Sequence, residues 1–399
     1  MPRAIVLGGG MVGRVIACEL ARDYAWDVAV VDAREDSLKA AMAAAARIGV
    51  KIRPMAADLS DPGTVKNIAS GADMVFGALP SRYGHAALRA VLEAGKNYCD
   101  ISFMSEEARE LDELAKQKGV TAIVDCGVAP GMSNLLAAHA SQELERCDEL
   151  SIMVGGLPKE RRWPFEYKAG FAPWDVIEEY TRPSRIVEQG KMVVREALSE
   201  PELIDLPGVG TVEAFNTDGL RSIADTLKVP TMREKTLRYP GHIELMRVLR
   251  HIGLFSLEAI EVPVAAGTPA PAGHMLAKVR PRDVLAALMF PQWTYQPGEK
   301  DLTVMRIEAR GVKAGAATTI RWDLYDELDE ATGFTSMSRT TAFPAVVVGT
   351  MIAAGRLKRP GVAAPEMLGI APSRDEIVRE VLAGLEKRGV RFVKTEIKG

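Results

Sequence analysis

The stretch Gly8-Gly9-Gly10-Met11-Val12-Gly13 decides the fold, because it joins a short apolar run to the start of a helical pattern. Its G-x-G-x-x-G spacing, directly after a predicted strand, is typical of a turn that binds a dinucleotide. The first glycine permits the tight turn, the second admits a pyrophosphate to the helix N-terminus, and the third lets helix and strand pack closely. We therefore expect five residues to contact the cofactor: Gly8, Gly10, Met11, Val12 and Gly13.

The strand that follows this helix ends in Asp32, 19 residues after Gly13. An acid at this place accepts hydrogen bonds from a ribose diol and repels a 2′-phosphate, which favours NAD over NADP. Arg34 weakens that inference because it could stack on adenine or bind a phosphate, so NADP stays open. Asp58 ends the third predicted strand, where it either meets the adenine amino group or caps the helix that begins near Pro62.

Strands and helices alternate through the first 125 residues, with strands predicted at 4–7, 28–32, 52–56, 74–76, 97–100 and 121–124. This alternation is typical of right-handed β-α-β crossovers and predicts an α/β fold with an N-terminal Rossmann domain, a doubly wound parallel sheet. Beyond it, alternating apolar runs separated by Gly and Pro predict an α+β domain with a mixed or antiparallel sheet.

We predict three parts of the chain. They are a dinucleotide-binding domain over 1–128, a substrate and oligomerisation domain over 129–340, and a C-terminal segment over 341–399 that returns toward the Rossmann domain. The last part should contain an apolar helix near 345–355, then an amphipathic helix and a short strand. The segment 262–277 is rich in Pro, Gly and Ala and predicts a connecting loop.

Composition excludes several classes of protein. Lys and Arg number 50 against 53 Asp and Glu, so there is no basic footprint for nucleic acid and no polybasic membrane anchor. The four cysteines form no C-x-x-C pair, which argues against a zinc site and a disulfide framework and favours a reduced, cytoplasmic protein. We find no metal-ligand spacing, no signal-peptide pattern and no apolar run long enough to span a bilayer.

Further candidate residues follow the fourth and fifth predicted strands. In a doubly wound sheet, ligands bind at the carboxyl edge of the strands. Ala78-Leu79-Pro80 should therefore run beside the nicotinamide ribose of the cofactor. Phe103 is expected to contact the substrate at the same edge, and Asp100 is either a substrate contact or a structural acid.

Motifs along the rest of the chain extend this pattern. They are Asp100-Ile101-Ser102-Phe103-Met104, Gly127-Val128-Ala129-Pro130-Gly131-Met132-Ser133-Asn134, Gly155-Gly156-Leu157-Pro158, Glu178-Glu179-Tyr180-Thr181-Arg182-Pro183, Glu213-Ala214-Phe215, Asp218-Gly219-Leu220-Arg221-Ser222, Thr236-Leu237-Arg238-Tyr239-Pro240-Gly241-His242 and Ser336-Met337-Ser338-Arg339. With the glycine turn, they resemble the saccharopine dehydrogenase-like family from residue 5 to about 369, and within it the lysine 6-dehydrogenases most closely.

The resemblance implies a Rossmann domain plus a substrate domain, and NAD-dependent oxidative deamination of the ε-amino group of L-lysine. The product aldehyde would cyclise to a piperideine carboxylate. The resemblance also implies that the protein forms a homo-oligomer, most simply a dimer. Two alternatives stay open: a saccharopine or carboxynorspermidine type of reductive condensation, and a regulatory protein that binds NAD without turnover. Saccharopine reductases carry Asp where this chain has Ala129, which counts against a substrate with three carboxylates.

The implied reaction needs a cation for the substrate carboxylate and a group that neutralises the amine. Arg238 and Arg221 are the carboxylate candidates, because a guanidinium offers a planar bidentate fork; each could instead form a structural ion pair. His242 follows Pro240-Gly241 and opens a helical stretch, so it is either a base or amine orienter, or a helix cap or core histidine.

Three more residues complete the predicted substrate site. Asp218 and Glu213 could balance the ammonium group of lysine. Tyr167 could close the pocket over the bound substrate. Together with His242, Arg238 and Asp100 as the candidate catalytic residues, they predict a site for a small zwitterionic amine.

Overall fold

The computed structural model describes residues 1–264, 275–296 and 298–399. Within these residues the strands form three sheets, and the two larger sheets position the functional site. No helix in the described part of the chain combines the length and apolarity needed to cross a bilayer.

The N-terminal third of the chain builds the first sheet. Its elements in chain order are β1 (Arg3–Leu7), α1 (Gly13–Asp23), β2 (Asp27–Asp32), α2 (Glu35–Arg47), β3 (Arg53–Ala56), α3 (Pro62–Ser70), β4 (Met74–Gly77), α4 (Ser81–Glu93), β5 (Asn97–Asp100), α5 (Asp112–Lys118) and β6 (Thr121–Ile123). These strands pair in parallel in the order β6-β5-β4-β1-β2-β3. The predicted doubly wound parallel sheet is confirmed, because strands and helices alternate where the apolar runs indicated.

The remaining elements are α6 (Met132–Ser141), β7 (Arg146–Pro158), α7 (Pro173–Thr181), β8 (Ser184–Glu188), β9 (Lys191–Arg195), β10 (Glu202–Leu206), β11 (Gly210–Asn216), α8 (Ile223–Thr226), β12 (Thr231–Arg238), α9 (His242–His251), β13 (Ile260–Val264), β14 (Met275–Val279), α10 (Pro281–Trp293), β15 (Asp301–Lys313), β16 (Ala316–Glu327), α11 (Ser336–Ala353), β17 (Gly361–Ala363), α12 (Pro365–Gly369), α13 (Arg374–Glu386) and β18 (Phe392–Lys398).

The second sheet is mixed, as predicted. Its strand order is β10-β11-β12-β7-β15-β16-β18, with the hairpin of β8 and β9 attached to β12. The β12 and β7 strands pair in parallel, and the other neighbours pair antiparallel. One face packs on α6 and α11, where Ile152 of β7 and Ile307 of β15 join the large hydrophobic core.

The C-terminal residues pack against both large sheets. The α11 helix contacts α1, β4 and β5 as well as β15, and β17 pairs in parallel with β6 at the edge of the first sheet. The helix begins at Ser336, about nine residues before the predicted start. Nearly every residue of α11 is buried, so no amphipathic period marks its beginning. The domain boundaries given above stay a prediction.

The interpretation of 262–277 as a loop is wrong at both ends. The strands β13 and β14 pair antiparallel there, from Ile260 opposite Val279 to Val264 opposite Met275. The Pro, Gly and Ala content concealed the alternating β-branched residues Ile260, Val262 and Val264, which favour a strand. Residues 265–274, the middle of that predicted loop, lie outside the described residues.

Candidate active site

The glycine turn after β1 closes as tightly as its spacing predicts. Gly8 has a φ of +100°, and a Cβ there would lie 2.3 Å from the carbonyl oxygen of Ala78. A Cβ on Gly13 would lie 1.9 Å from the carbonyl oxygen of Gly8. Only glycine tolerates these approaches, so the turn brings the start of α1 against the carboxyl ends of β1 and β4.

The same turn leaves room for a ligand. A Cβ on Gly10 would meet no atom within 4 Å, in contrast to Gly8 and Gly13. Val12 is the N-terminal cap residue of α1, and Met11 precedes it. An open approach at a helix N-terminus fits the pyrophosphate of a dinucleotide.

The Asp32 carboxylate is held at the end of β2. Its Oδ2 accepts a hydrogen bond from the Gly9 amide at 2.8 Å, and its Oδ1 accepts one from the Arg34 amide at 2.8 Å. The Arg34 side chain is 73% exposed and pairs with Asp36, with Nε 3.1 Å from Oδ1. Asp32 is therefore fixed beside the turn, while the Arg34 guanidinium is directed at another acid.

The other predicted cofactor contacts lie along the same edge. Leu79 is buried behind Gly8, and Pro80 caps α4. Asp58 accepts hydrogen bonds from the Ser60 amide and hydroxyl at 2.9 and 2.6 Å. The helix α3 is capped by Asp61, so the alternative role of Asp58 as that cap is wrong.

A pair of alanine substitutions tests the cofactor turn. Gly10→Ala should leave the thermal unfolding midpoint unchanged and weaken dinucleotide binding tenfold or more, a loss of about 1.4 kcal/mol. Gly13→Ala should lower the midpoint, because overpacking against the backbone costs roughly 1–3 kcal/mol. Calorimetric melting and NADH fluorescence titration check both. Wild-type affinity in the Gly10→Ala protein would contradict this placement of the pyrophosphate.

Asp100 lies fully buried at the end of β5. Its Oδ1 accepts hydrogen bonds from the Ser102 amide at 3.0 Å and the Ser102 hydroxyl at 2.7 Å. Burial raises the pKa of Asp100 to about 7. These bonds hold the loop that leads to Phe103. This geometry favours the alternative in which Asp100 is a structural acid.

Arg221 lies against this loop. Its guanidinium carbon is 4.6 Å from the centre of the Phe103 ring, and its Nε is 3.2 Å from Asp125 Oδ2. Its Nη2 also donates to the Met104 carbonyl oxygen. Arg221 therefore joins the second domain to the edge of the first sheet and is committed to protein partners.

A second group of predicted residues surrounds Arg238, at the end of β12. The side chain is 3% exposed, and its Nη2 donates to Glu179 Oε2 at 2.8 Å. Its Nε donates to the Tyr180 hydroxyl at 3.0 Å and its Nη1 to the Leu237 carbonyl at 2.9 Å. The guanidinium carbon lies 4.4 Å from the centre of the Tyr167 ring, so Tyr167 and Arg238 do come together.

His242 touches the same cluster from the start of α9. Its Nδ1 lies 2.8 Å from the Phe165 carbonyl oxygen, and its Nε2 lies 2.9 Å from the Tyr180 hydroxyl. Burial and the neighbouring Arg238 lower the pKa of His242 to about 3, so the ring is neutral. Nδ1 must then donate to Phe165 while Nε2 accepts from Tyr180, and both nitrogens are engaged.

The carboxylates of Asp218 and Glu213 have hydrogen-bond partners other than Arg238. The carboxylate of Asp218 accepts from the Arg185 guanidinium, at 2.8 Å from Nε and 3.2 Å from Nη2. Glu213 pairs in register with Arg238, but its carboxylate accepts from the Gly241 amide at 3.2 Å, at the start of α9. The structure therefore brings neither acid to the guanidinium of Arg238.

Sequence reasoning missed the contribution of α7. This helix crosses from one domain to the other: Asp175 accepts from the Ser81 hydroxyl at 3.1 Å, and Glu179 pairs with Arg238. Just after the helix, the Arg182 guanidinium carbon lies 5.1 Å from the centre of the Phe103 ring. The charged run Glu178–Arg182 was the available signal, but a charged helix end is usually solvated.

The described residues contain no cluster of His, Cys, Asp or Glu that could hold a metal ion. The chemical groups of the site are instead a dinucleotide turn, the pair of a buried Arg238 with Glu179, and several buried acids. The adjacent cation and anion of that pair are complementary to a zwitterion.

Comparisons with known proteins cover nearly the whole chain. Residues 4–123 match the family model described as the saccharopine dehydrogenase NADP binding domain, and residues 127–390 match the saccharopine dehydrogenase C-terminal domain. A relative, the saccharopine dehydrogenase [NADP(+), L-glutamate-forming] of Schizosaccharomyces pombe, is 22% identical over 82% of this chain and 87% of its own length. The carboxyaminopropylagmatine dehydrogenase of Synechocystis is 24% identical over 91% of this chain and 92% of its own.

A solved structure has the same fold. The apo saccharopine dehydrogenase (L-Glu forming) of Saccharomyces cerevisiae superposes with a TM-score of 0.80 and covers 100% of both chains. Its sequence identity is 18%, so the likeness concerns the arrangement of the chain and not the substrate.

Proposed function

Since the chain belongs to the saccharopine dehydrogenase family, we propose that it is an NAD-dependent enzyme that oxidatively deaminates the ε-amino group of L-lysine. Membership of this family identifies the protein as an oxidoreductase with a nicotinamide dinucleotide cofactor. Lysine as the substrate is our proposal. The aldehyde formed from the ε-carbon would react with the α-amino group of the same molecule and close a piperideine carboxylate ring.

The observation that carries this proposal is the ion pair between Arg238, which is 3% exposed, and Glu179, which is 23% exposed. A guanidinium has five N–H donors, and among the described residues three of those of Arg238 are engaged. The remaining two can bind a carboxylate, and Glu179 stands beside them to receive an ammonium group. A neighbouring cation and anion complement the α-carboxylate and α-ammonium of an amino acid.

Tyr167, Tyr180 and His242 hold that pair in position. The Tyr167 ring lies under the guanidinium, and the Tyr180 hydroxyl links Arg238 to His242. We assign His242 as a positioning residue, because a neutral ring with both nitrogens engaged is poorly placed to accept a proton. Asp100 likewise holds the Phe103 loop in this proposal, and Arg221 holds the second domain against it.

A bound nicotinamide dinucleotide supplies the hydride acceptor. The residues that would hold it are Gly8, Gly10, Met11, Val12, Gly13, Asp32, Ala78, Leu79 and Pro80. We propose NAD because the Asp32 carboxylate is fixed beside the turn and Arg34 is paired with Asp36. The family model and the Schizosaccharomyces relative carry NADP in their names, which keeps NADP as the alternative.

Asp32→Asn should shift the cofactor preference toward NADP. Without the charge beside the 2′-phosphate, the binding free energy of NADP should become more favourable by roughly 1–2 kcal/mol. Because the hydrogen bond to the ribose weakens, the binding of NAD should become less favourable by roughly as much. The ratio of kcat/KM for the two cofactors should change about 10²-fold, measured at 340 nm. Asp27→Asn, at the opposite end of β2, is the control and should leave the ratio unaltered. An unchanged ratio in Asp32→Asn would remove Asp32 from the ribose site.

The function is tested by one spectrophotometric screen. NAD and NADP are crossed with L-lysine, L-ornithine and saccharopine, and reduced cofactor is followed at 340 nm. Reduction with lysine alone supports the proposal. Reduction only with saccharopine would replace it by the second candidate.

That second candidate is a reductive condensation of the saccharopine or carboxynorspermidine type. The activities of the Schizosaccharomyces and Synechocystis relatives favour it. Ala129 opposes it, because saccharopine reductases carry an acid at that place. In this case the enzyme would oxidise a secondary amine and leave free lysine untouched.

We also propose a homodimer in the cytoplasm. All four cysteines are free, and three of them are buried, which suits a reducing compartment. Light scattering of the purified protein gives the subunit number directly.

A further inference from the structure

Glu234 is a buried acid that the sequence analysis did not single out. It lies on β12, with Thr236 and Arg238 at alternate positions on the same face of the strand. The residue is 3% exposed, and its carboxyl binds the loop after β11. A strand with a polar residue at every second buried position was the signal for it.

Hydroxyl and amide groups solvate one oxygen of this carboxyl. Oε2 accepts from the Thr217 hydroxyl at 2.5 Å and from the Gly219 amide at 3.1 Å. The Thr217 hydroxyl also lies 2.8 Å from that of Thr236, so Thr236 donates to it. Among the described residues, no hydrogen bond reaches Oε1.

No cation of the described residues pairs with Glu234. Two further acids act on it: Glu179 of α7, which is paired with Arg238, and Asp218 of the loop, which is paired with Arg185. Burial and these like charges raise its pKa to about 8. Ionising a buried acid beside other acids costs free energy unless a cation enters the site.

The backbone spacing along β12 is comparable with the reach of lysine. The Cα atoms of residues 234 and 238 lie about 13 Å apart at 3.3 Å per residue, and their side chains project from the same face. Extended lysine measures roughly 7–8 Å from the carboxylate carbon to the ε-nitrogen. With a hydrogen bond of about 3 Å at each end, it spans a distance similar to that backbone separation.

We propose that Glu234 binds the reacting ε-ammonium group of the substrate and accepts a proton from it, while Arg238 holds the α-carboxylate. This inference rests on the proposed function, because it takes the substrate to be lysine. It makes Glu234 a catalytic residue and makes its distance from Arg238 the measure of substrate length.

The step balances without a further reactant. Glu234 takes one proton from the ε-ammonium, which becomes a neutral amine with a free electron pair. The bond from the ε-carbon to hydrogen would then break as the nitrogen pair forms the C=N bond of an iminium ion, and a dinucleotide held by the glycine turn would supply the acceptor for the hydride. Water adds to that carbon, ammonium leaves, and Glu234 returns its proton to solvent.

Glu234→Gln is expected to lower kcat/KM for lysine about 10²- to 10⁴-fold, the usual contribution of a general base. In the wild type, kcat/KM should rise with pH until about 8, since the base must lose its proton to act. That rise should be absent from the residual activity of the variant. Glu202→Gln is the control. Glu202 of β10 pairs with Lys235, which projects from the face of β12 opposite to Glu234, so its loss should leave kcat/KM unchanged.

Calorimetry of binding provides a readout that needs no turnover. At pH 7, L-lysine should displace the proton of Glu234, so the wild type should release close to one proton, measured in two buffers of different ionisation heat. Glu234→Gln should release none and bind lysine at least tenfold more weakly. L-Norleucine, which lacks the ε-amine, should bind both proteins equally and release no proton.

Thermal unfolding shows whether the variant folds. Between about pH 4.5 and 8 the unfolded chain ionises Glu234 while the folded protein keeps its proton, so the folded protein loses stability as pH rises through that window. Glu234→Gln has no such loss. Its midpoint should exceed that of the wild type at pH 9 and equal it at pH 4.

The outcomes separate this inference from the proposed function. If the wild type oxidises lysine and Glu234→Gln keeps its kcat/KM and pH profile, Glu234 has no such role although the function stands. If lysine binds with proton release but is not oxidised, the function fails and the assignment of Glu234 to the ammonium stands. Lysine binding without proton release overturns the inference.

Discussion

Replacing Arg238 with methionine is expected to lower kcat/KM for L-lysine roughly 10²- to 10³-fold. Truncating one partner of a buried, hydrogen-bonded charge pair costs about 2–5 kcal/mol, and each 1.4 kcal/mol is a factor of ten. The α-carboxylate is remote from the ε-carbon, so the loss should appear mainly in KM. Steady-state kinetics with saturating NAD measure both constants.

The same substitution leaves the partly buried Glu179 without its cation, so the protein should also lose stability. The double variant Arg238→Met/Glu179→Gln removes both charges and should recover most of the unfolding midpoint, yet keep the high KM. Arg282→Met is a matched control. Arg282 of α10 pairs with Glu178, the neighbour of Glu179 on α7, and its Nη1 lies 3.2 Å from Glu178 Oε1. A wild-type KM in Arg238→Met would show that the carboxylate binds elsewhere.

Arg388→Met should give the largest loss of stability, about 3–5 kcal/mol. Arg388 lies in the turn after α13, with Nε 3.1 Å from Glu19 and Nη2 2.8 Å from Asp23 on α1. Glu19 is fully buried and Arg388 nearly so. The substitution leaves the two acids with Arg22 alone, which pairs with both.

The measurement is the thermal midpoint by differential scanning calorimetry. Arg391→Met is the control, since Arg391 and its partner Glu386 are both exposed and 3.5 Å apart, and such pairs contribute little. A fall of equal size in both proteins would mean that the buried pair adds nothing beyond a surface pair. A fall in Arg388→Met alone would show that the C-terminal turn stabilises the first domain through α1.

The cofactor turn could be predicted from the sequence because its contacts are local. Gly8 and Gly13 meet within one turn, and the amide of Gly9 binds Asp32 at the end of the next strand. The parallel sheet could be predicted for a similar reason, since each strand is followed by the helix that covers it. The start of α11 could not, because a helix buried on all sides has no polar face to mark it.

The substrate cluster was predicted only in part. Arg238, His242 and Tyr167 were named from their residue types and motifs, and they do lie together. The partners of Asp218 and Glu213 could not be anticipated, because Arg185 and the Gly241 amide reach those carboxylates from separate segments. Glu234 was missed because its signal, an alternation of polar residues with Thr236 and Arg238, stands out only once the burial of that strand face is known.

The sequence by itself therefore determined the α/β class, the dinucleotide turn and the residue types available for an amino-acid substrate. These depend on periodicity and on contacts between neighbours in the chain. Only the tertiary structure decided that Glu179 balances Arg238, that Tyr180 and His242 hold it, and that Glu234 is buried without a cation partner among the described residues. The physical reason is that the partners of Arg238 and His242 come from α7, 59 and 62 residues earlier in the chain, a segment that reaches β12 and α9 only when the chain folds.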